Sequence, residues 1–253
     1  MSTLLLRFTA PLQSWGGDSK FDIRKTEREP TKSGVVGLLA AALGRKRDEA
    51  IDDLTALRFG VRVDHEGEQL QDFHMVYFEG KQKISNVTEA EKADSYLTNR
   101  YYLSDAIFLV GLEGDDETLT ALAQALAHPV FPLFLGRRSC PPEGRVCLGL
   151  RHTDLLSALR AEPWQLPQWR QAKQKDPLLR ILTDAKDAPN TSARQHDLPL
   201  SFHQENRQYG DRLIMEHAAI RASYVSSLLG NPTEHDPMNG LEGDPDVPIS
   251  HCD

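Results

Sequence analysis

Lys32 and Ser33 stand side by side between a proline-bounded basic loop and an apolar run, in "REPTKSGVVGLLAAALGRKR". Lysine, serine and nearby glycines are residue types with which a chain holds phosphate. A nucleotide-hydrolysing P-loop nevertheless needs G-x-x-x-x-G-K-S/T, with glycine immediately before the lysine. Here Thr31 precedes Lys32, and Gly34 follows the serine. The Walker reading fails. What remains is a helix start with Thr31 or Ser33 as N-cap, whose free N–H groups and positive dipole end suit an anion. Taken alone, the stretch fits a plainly capped helix better, with Gly34, Gly37 and Ala41 allowing close approach of another element.

Other stretches share this vocabulary. "LGRRSCPPEG" places Arg137 and Arg138 directly after a glycine, where guanidinium groups and backbone N–H groups can grip a phosphate together. The loop "APLQSWGGDSKFDIRKTEREP" carries Lys20, Arg24 and Lys25, and Trp15 within it either stacks on a base or belongs to the core. "NRYYLS" sets Arg100 beside Tyr101 and Tyr102, and strand alternation sends one of the two tyrosines inward. Metal-independent RNA cleavage would need a base and an acid near the 2′-OH. His74, Tyr77, His152 and His203 are available, but their spacing singles out none. The nine histidines show no H-x-x-x-H or H-E-x-x-H pattern, so a catalytic metal is not expected.

The elements that must position these residues follow from periodicity. "STLLLRFT" reads as a buried strand, and the spacing of Val35, Leu38, Leu39, Ala42 and Leu43 predicts a helix from about Ser33 to Leu43, stopped by Gly44. "RDEAIDDLTALR" reads as a second helical segment with Ile51, Leu54 and Leu57 on one side. "FGVRVDHEGEQLQDFHMVYF" predicts two strands around Glu66-Gly67, and "DAIFLVGL" a strand covered on both faces. "DDETLTALAQALAH" is a helix turning Leu119, Leu122, Ala123 and Leu126 inward. "VFPLFLGRRSCPPEGRVCLGL" reads as strand, loop, strand. The segment from about Glu79 to Asn99 is polar and reads as a protruding insertion. Beyond about Glu162 the signals weaken, with "RLIMEHAAIRASYV" a late strand or short helix. The order β-α-β-β-(insertion)-β-α-β lies close to the ferredoxin-like plan.

Charge refines this. The 253 residues carry a net charge of -8, but Asn231–Asp253 hold six acids and no Lys or Arg; without them the first 230 residues carry only -2. From Lys20 to Arg47 eight basic residues face three acids, a local excess of +5. Local potential steers a polyanion, so the chain-wide sum does not exclude RNA or DNA. Three cysteines without metal-ligand spacing suit a reducing cytoplasm. The apolar start, interrupted by Arg7, is too short for a signal peptide or a membrane span.

Taken together, "LLLRFTAPLQSWG", "PTKSGVVGLLAAALG" and "FLGRRSCPPEG", with "DFHMV" and "NRYYLSDAIF" in the expected order, resemble the CasD family of type I-E CRISPR Cascade subunits. This is a branch of the repeat-associated mysterious protein (RAMP) superfamily. The resemblance covers roughly residues 1–150. It implies an α+β, ferredoxin-like and RRM-related RAMP domain over residues 1–230, with a β-hairpin thumb at about 78–100; the acidic, Pro/Gly-rich tail at 231–253 lies outside the resemblance and reads from its composition as disordered. It implies a non-catalytic RNA-binding subunit that caps the 5′ handle of the crRNA and contacts the backbone and large subunits, meeting target DNA through the assembled complex. A related type I-C branch cleaves repeat RNA with Tyr, Lys and His; the lack of an adjacent Lys-His pair weighs against that alternative here. The RNA-binding residues expected on both grounds are Trp15, Lys20, Arg24, Lys25, Lys32, Ser33, Arg100, Tyr101, Arg137 and Arg138, with no cofactor and no metal.

Overall fold

A computed structural model of the chain describes residues 1–16, 22–77, 95–185 and 193–222. Lys20, residues 78–94 of the expected thumb and the 231–253 tail lie outside them. The main body is a seven-stranded antiparallel sheet. Its first four strands are β1 (Ser2–Thr9), β4 (Arg58–His65), β7 (Ile107–Gly114) and β8 (Cys147–Arg151), lying in the order β8-β1-β7-β4. Between them in sequence run α1 (Lys32–Leu43), the short α2 (Asp52–Thr55) and α3 (Asp116–Ala127).

Alternation along each strand divides the core between two faces. Leu4, Leu6 and Phe8 of β1, Phe59, Val61 and Val63 of β4, and Phe108, Val110 and Leu112 of β7 share one cluster with the buried residues of α1 and α3. The intervening Leu5 and Leu109 pack with Leu155, Ala158 and Leu159 of α4 (Leu155–Ala161) on the other face. The apolar run of β7 is thus explained, since both of its faces are covered. Fully burying one such side chain contributes about 1.5–3 kcal/mol, so this sheet is the rigid platform for everything attached to it.

Residues 162–185 and 193–222 are more regular than the sequence suggests. After α5 (Gln168–Gln171), β9 (Leu178–Asp184), β10 (Ala193–Ser201) and β11 (Gln208–Arg221) extend the sheet beyond β4 in the order β10-β11-β9-β4. "RLIMEHAAIR" is therefore strand, not helix. Its face is only half covered, which is why it lacks a clean apolar pattern. Pro199 is tolerated because β10 is the edge strand.

The expected strand "VFPLFL" is also corrected. That segment is irregular, and the N–H groups of Val130 and Phe131 donate to the carbonyls of Ala42 and Ala41, closing the end of α1 instead of pairing in a sheet. A second, four-stranded sheet is built on β6 (Ser95–Ser104). One edge of β6 takes β5 (Glu68–Tyr77) as an antiparallel hairpin partner, and the other takes β2 (Leu12–Gln13) and, in parallel, β3 (Ile23–Arg24). The 10–31 loop is thus partly strand. Phe73, Met75 and Val76 of β5 are all exposed, so this part of β5 stands clear of the core that takes Tyr102 and Leu103 of β6.

Candidate nucleic-acid interface

The loop after Leu135 is fixed by a close backbone approach. Gly136 has φ +86°, and a Cβ there would lie 1.7 Å from the carbonyl oxygen of Ser14. No side chain fits, which is why glycine precedes the two arginines. The N–H of Ser14 donates to Leu135 O at 3.2 Å, Leu135 N–H to Cys140 O at 2.7 Å, and Cys140 N–H to Arg137 O at 2.9 Å. Leu135 and Cys140 are buried and hold the loop from below; burial pushes the Cys140 thiol up, so it stays protonated as a packing group. The N–H groups of Arg137, Arg138 and Ser139 have no acceptor among the described residues. A tight turn with free N–H groups beside arginines can receive an anion.

The two arginines do different work. Arg137 donates to Tyr101 O at 3.1 Å and to Arg24 O at 2.8 Å, and its guanidinium carbon sits 4.7 Å from the Tyr102 ring centroid. It therefore ties the loop to both β6 and β3. Arg138 is exposed, with no protein partner among the described residues. Arg24 and Lys25, whose carbonyls accept from Arg137, are exposed, and Arg24 lies in register with Arg100 on β6. The Nε of Arg100 is buried without a hydrogen-bond partner. Tyr102 is buried while Tyr101 stays half-exposed, as strand alternation requires. Five expected cations and Tyr101 are thereby brought to one region: Arg24, Lys25, Arg100, Arg137 and Arg138.

The structure does not bring Lys32, Ser33 or Trp15 to that surface. Thr31 is the N-cap of α1, its hydroxyl accepting the N–H of Gly34 at 3.2 Å. The N–H of Lys32 donates to Asp197 Oδ2 at 2.8 Å, and its Nζ pairs with Asp184 Oδ2 at 2.9 Å. Arg212 completes the cluster, pairing with Asp197 at 2.5 Å and Asp184 at 2.7 Å. The anion at this helix end belongs to the protein's own β9 and β10, and Lys32 is only 6% exposed. Ser33 is half-buried, its hydroxyl 3.4 Å from that of Thr31. Trp15 is fully buried, stacked on Phe8 at 5.3 Å, with Nε1 donating to Gln13 Oε1 at 3.2 Å. It has no face for a base. Its ring explains Gly34, where a Cβ would lie 2.9 Å from it. Gly37 answers no such need, since a Cβ there would make only an ordinary contact with Phe202.

Sequence reasoning missed Asp184, Asp197 and Arg212. Acids in a polar C-terminal segment give no local signal that they will meet a helix start more than 150 residues away. The candidate cleavage residues are separate: His74 lies on β5 opposite Thr98, whereas His152 is hydrogen-bonded to Ser2 at 3.0 Å and His203 to the N–H of Glu205 at 3.3 Å.

Comparison with known proteins adds independent information. The family profile described as "CRISPR-associated protein (Cas_Cas5)" matches residues 3–214. A stretch of 162 residues is 35% identical to "CRISPR system Cascade subunit CasD" of Escherichia coli (strain K12), covering 58% of this chain and 70% of that protein. Among solved structures, a chain of a "CRISPR RNA-guided surveillance complex" matches at TM-score 0.73 and 30% identity, over 88% of this chain and 92% of its own. A "Crystal structure of Cas protein" matches at TM-score 0.66 and 39% identity, over 88% and 97%.

Proposed function

Because this chain belongs to the Cas5 family of CRISPR-associated proteins, we propose that it is a non-catalytic RNA-binding subunit of a Cascade-type interference complex. It caps the 5′ handle of the crRNA. The observation that carries this reading is the Gly136–Ser139 turn, where the N–H groups of Arg137, Arg138 and Ser139 have no acceptor among the described residues, Arg138 is exposed, and Arg137 ties the turn to the strands that carry Arg24 and Arg100. Single-stranded RNA is held by such groups on its phosphates, with an aromatic face such as Tyr101 for a base.

The strand order β8-β1-β7-β4, with α1 and α3 on one face, supports reading residues 1–151 as a ferredoxin-like RAMP core. β9 to β11 enlarge its sheet, and the β5–β6 hairpin is the base of the thumb. A face covered by α4 leaves the loops and hairpin, not the open sheet, as the surface for RNA. In this reading the protruding hairpin meets neighbouring backbone and large subunits, and target DNA is met through the assembled complex. Among the described residues no helix is long and apolar enough to cross a membrane; work on crRNA fits the cytoplasm.

Two measurements test this. Complex reconstituted with the chain should prefer repeat-derived 5′ ends to unrelated RNA of equal length, and equal affinity for both would overturn the reading. Labelled repeat RNA incubated with the chain in EDTA should remain intact; a product lost on substituting His74 would make the protein a nuclease instead.

A further inference from the structure

Trp169 is 63% exposed, whereas Trp15 is fully buried and Trp164 is 7% exposed. An exposed indole on a well-anchored element needs an explanation. The anchor is firm: Trp164 Nε1 donates to Asp64 O at 2.9 Å, Leu166 is buried, and Gln171 Nε2 donates to Trp164 O at 3.3 Å. From this base, residues 169–175, "WRQAKQK", present three cations and no acid. Arg170 and Lys173 lie 5.8 and 5.3 Å from the Trp169 ring centroid. Lys173 and Lys175 are exposed, and the next acid, Asp176, is paired with Arg221.

We propose that Trp169, Arg170, Lys173 and Lys175 form a second nucleic-acid surface, which takes a single strand other than the one held at the Gly136–Ser139 turn. An aromatic face ringed by cations complements a base with its flanking phosphates. Exposed cation–aromatic contacts are weaker than base stacking, so Arg170 and Lys173 can exchange the ring for phosphates as a base arrives. An acidic peptide would satisfy the charge but would leave the indole face unused. The place of the surface argues for a separate strand. α5 is attached near the β4–β5 junction, where Arg170 lies 3.5 Å from His65. β3 and the Arg137 loop are attached to β6, so the β5–β6 hairpin stands between the two surfaces. The proposal does not depend on handle binding.

Titrating the full chain with an oligothymidylate tests it directly, because Trp169 alone among the three tryptophans is open to quenching. A saturable loss of tryptophan fluorescence is expected, and Arg138→Glu should retain it. By anisotropy of the labelled strand, Trp169→Ala should weaken binding about tenfold. Replacing Arg170, Lys173 and Lys175 together by Gln should reduce the slope of log affinity against log salt by about 2. Absence of quenching, or unchanged affinity in Trp169→Ala, would overturn the proposal. So would a Trp169→Ala variant that binds the strand normally but fails to enter the assembled complex, since the surface would then belong to a protein partner.

Discussion

The backbone N–H of Lys32 and the Oδ2 of Asp197, 165 residues apart in sequence, meet at 2.8 Å. A helix start that resembles a phosphate site is thus filled from within. Asp197 also accepts both Nε and Nη2 of Arg212, at 2.5 and 2.9 Å, so one buried carboxylate compensates a helix end and a guanidinium. Without Asp197 the Arg212 guanidinium keeps Asp184, but the Lys32 N–H and two guanidinium N–H groups lose their acceptor, and leaving a buried donor unsatisfied costs about 1–3 kcal/mol. Asp197→Ala should therefore lower the urea midpoint by a corresponding amount. A midpoint unchanged within error would mean that β10 does not hold α1.

Gly136→Ala is expected to damage the candidate interface through the backbone. The positive φ alone strains a non-glycine residue by about 1–3 kcal/mol, and the 1.7 Å approach to Ser14 O forces the loop outward as well. The Arg137 contacts with Tyr101 and Arg24 should break with it. Thermal stability and RNA affinity should fall together, and a variant with native affinity would show that this turn does not shape the site.

Arg137 and Arg138 should separate cleanly. Arg138→Ala removes an exposed cation that no described residue uses, so stability should hold while RNA affinity falls by about 1.5–3 kcal/mol if a charged hydrogen bond to phosphate is lost. Arg137→Ala also breaks the hydrogen bonds to Tyr101 O and Arg24 O, so its melting temperature should fall too. Calorimetry beside RNA titration distinguishes the two; identical behaviour would refute the division of labour.

What was legible in the sequence follows from the range of the forces involved. Helix α1, its Gly44 stop, the two-faced burial of β7 and the inward turn of one of Tyr101 and Tyr102 follow from periodicities of a few residues, and the structure bears them out. The Gly-Arg-Arg turn was legible as a motif, but not its unequal arginines, because the clip made by Arg137 depends on β3 and β6 arriving beside it. Lys32 and Trp15 misled for one reason. A lysine at a helix start and a tryptophan in a glycine-rich loop look the same whether they face solvent or a strand from the far end of the chain. β10 and β11 were hard to read because half-exposed strands carry mixed polar patterns on both faces.

Acid should weaken the C-terminal part of this sheet through His217. Its Nε2 is 2.8 Å from Thr183 Oγ1, and burial, then the nearby Arg160 and Arg58 guanidinium groups, hold its pKa below the usual 6.5. A histidine with a lowered folded pKa takes up a proton more readily when unfolded, so the unfolded state binds more protons between the two values. Its contribution is complete above about pH 6.5 and is lost as pH falls through the folded pKa. His65 is shifted in the same direction, by burial first and then by Arg170, and adds to the trend. Denaturation midpoints should therefore decline from about pH 8 towards about pH 5, across the range where histidine titrates. His217→Gln keeps a side-chain amide within reach of Thr183 but cannot take up the proton. It should flatten part of that decline and leave the share due to His65. A variant whose midpoint falls as steeply as the parent's would mean that His217 does not couple protonation to folding.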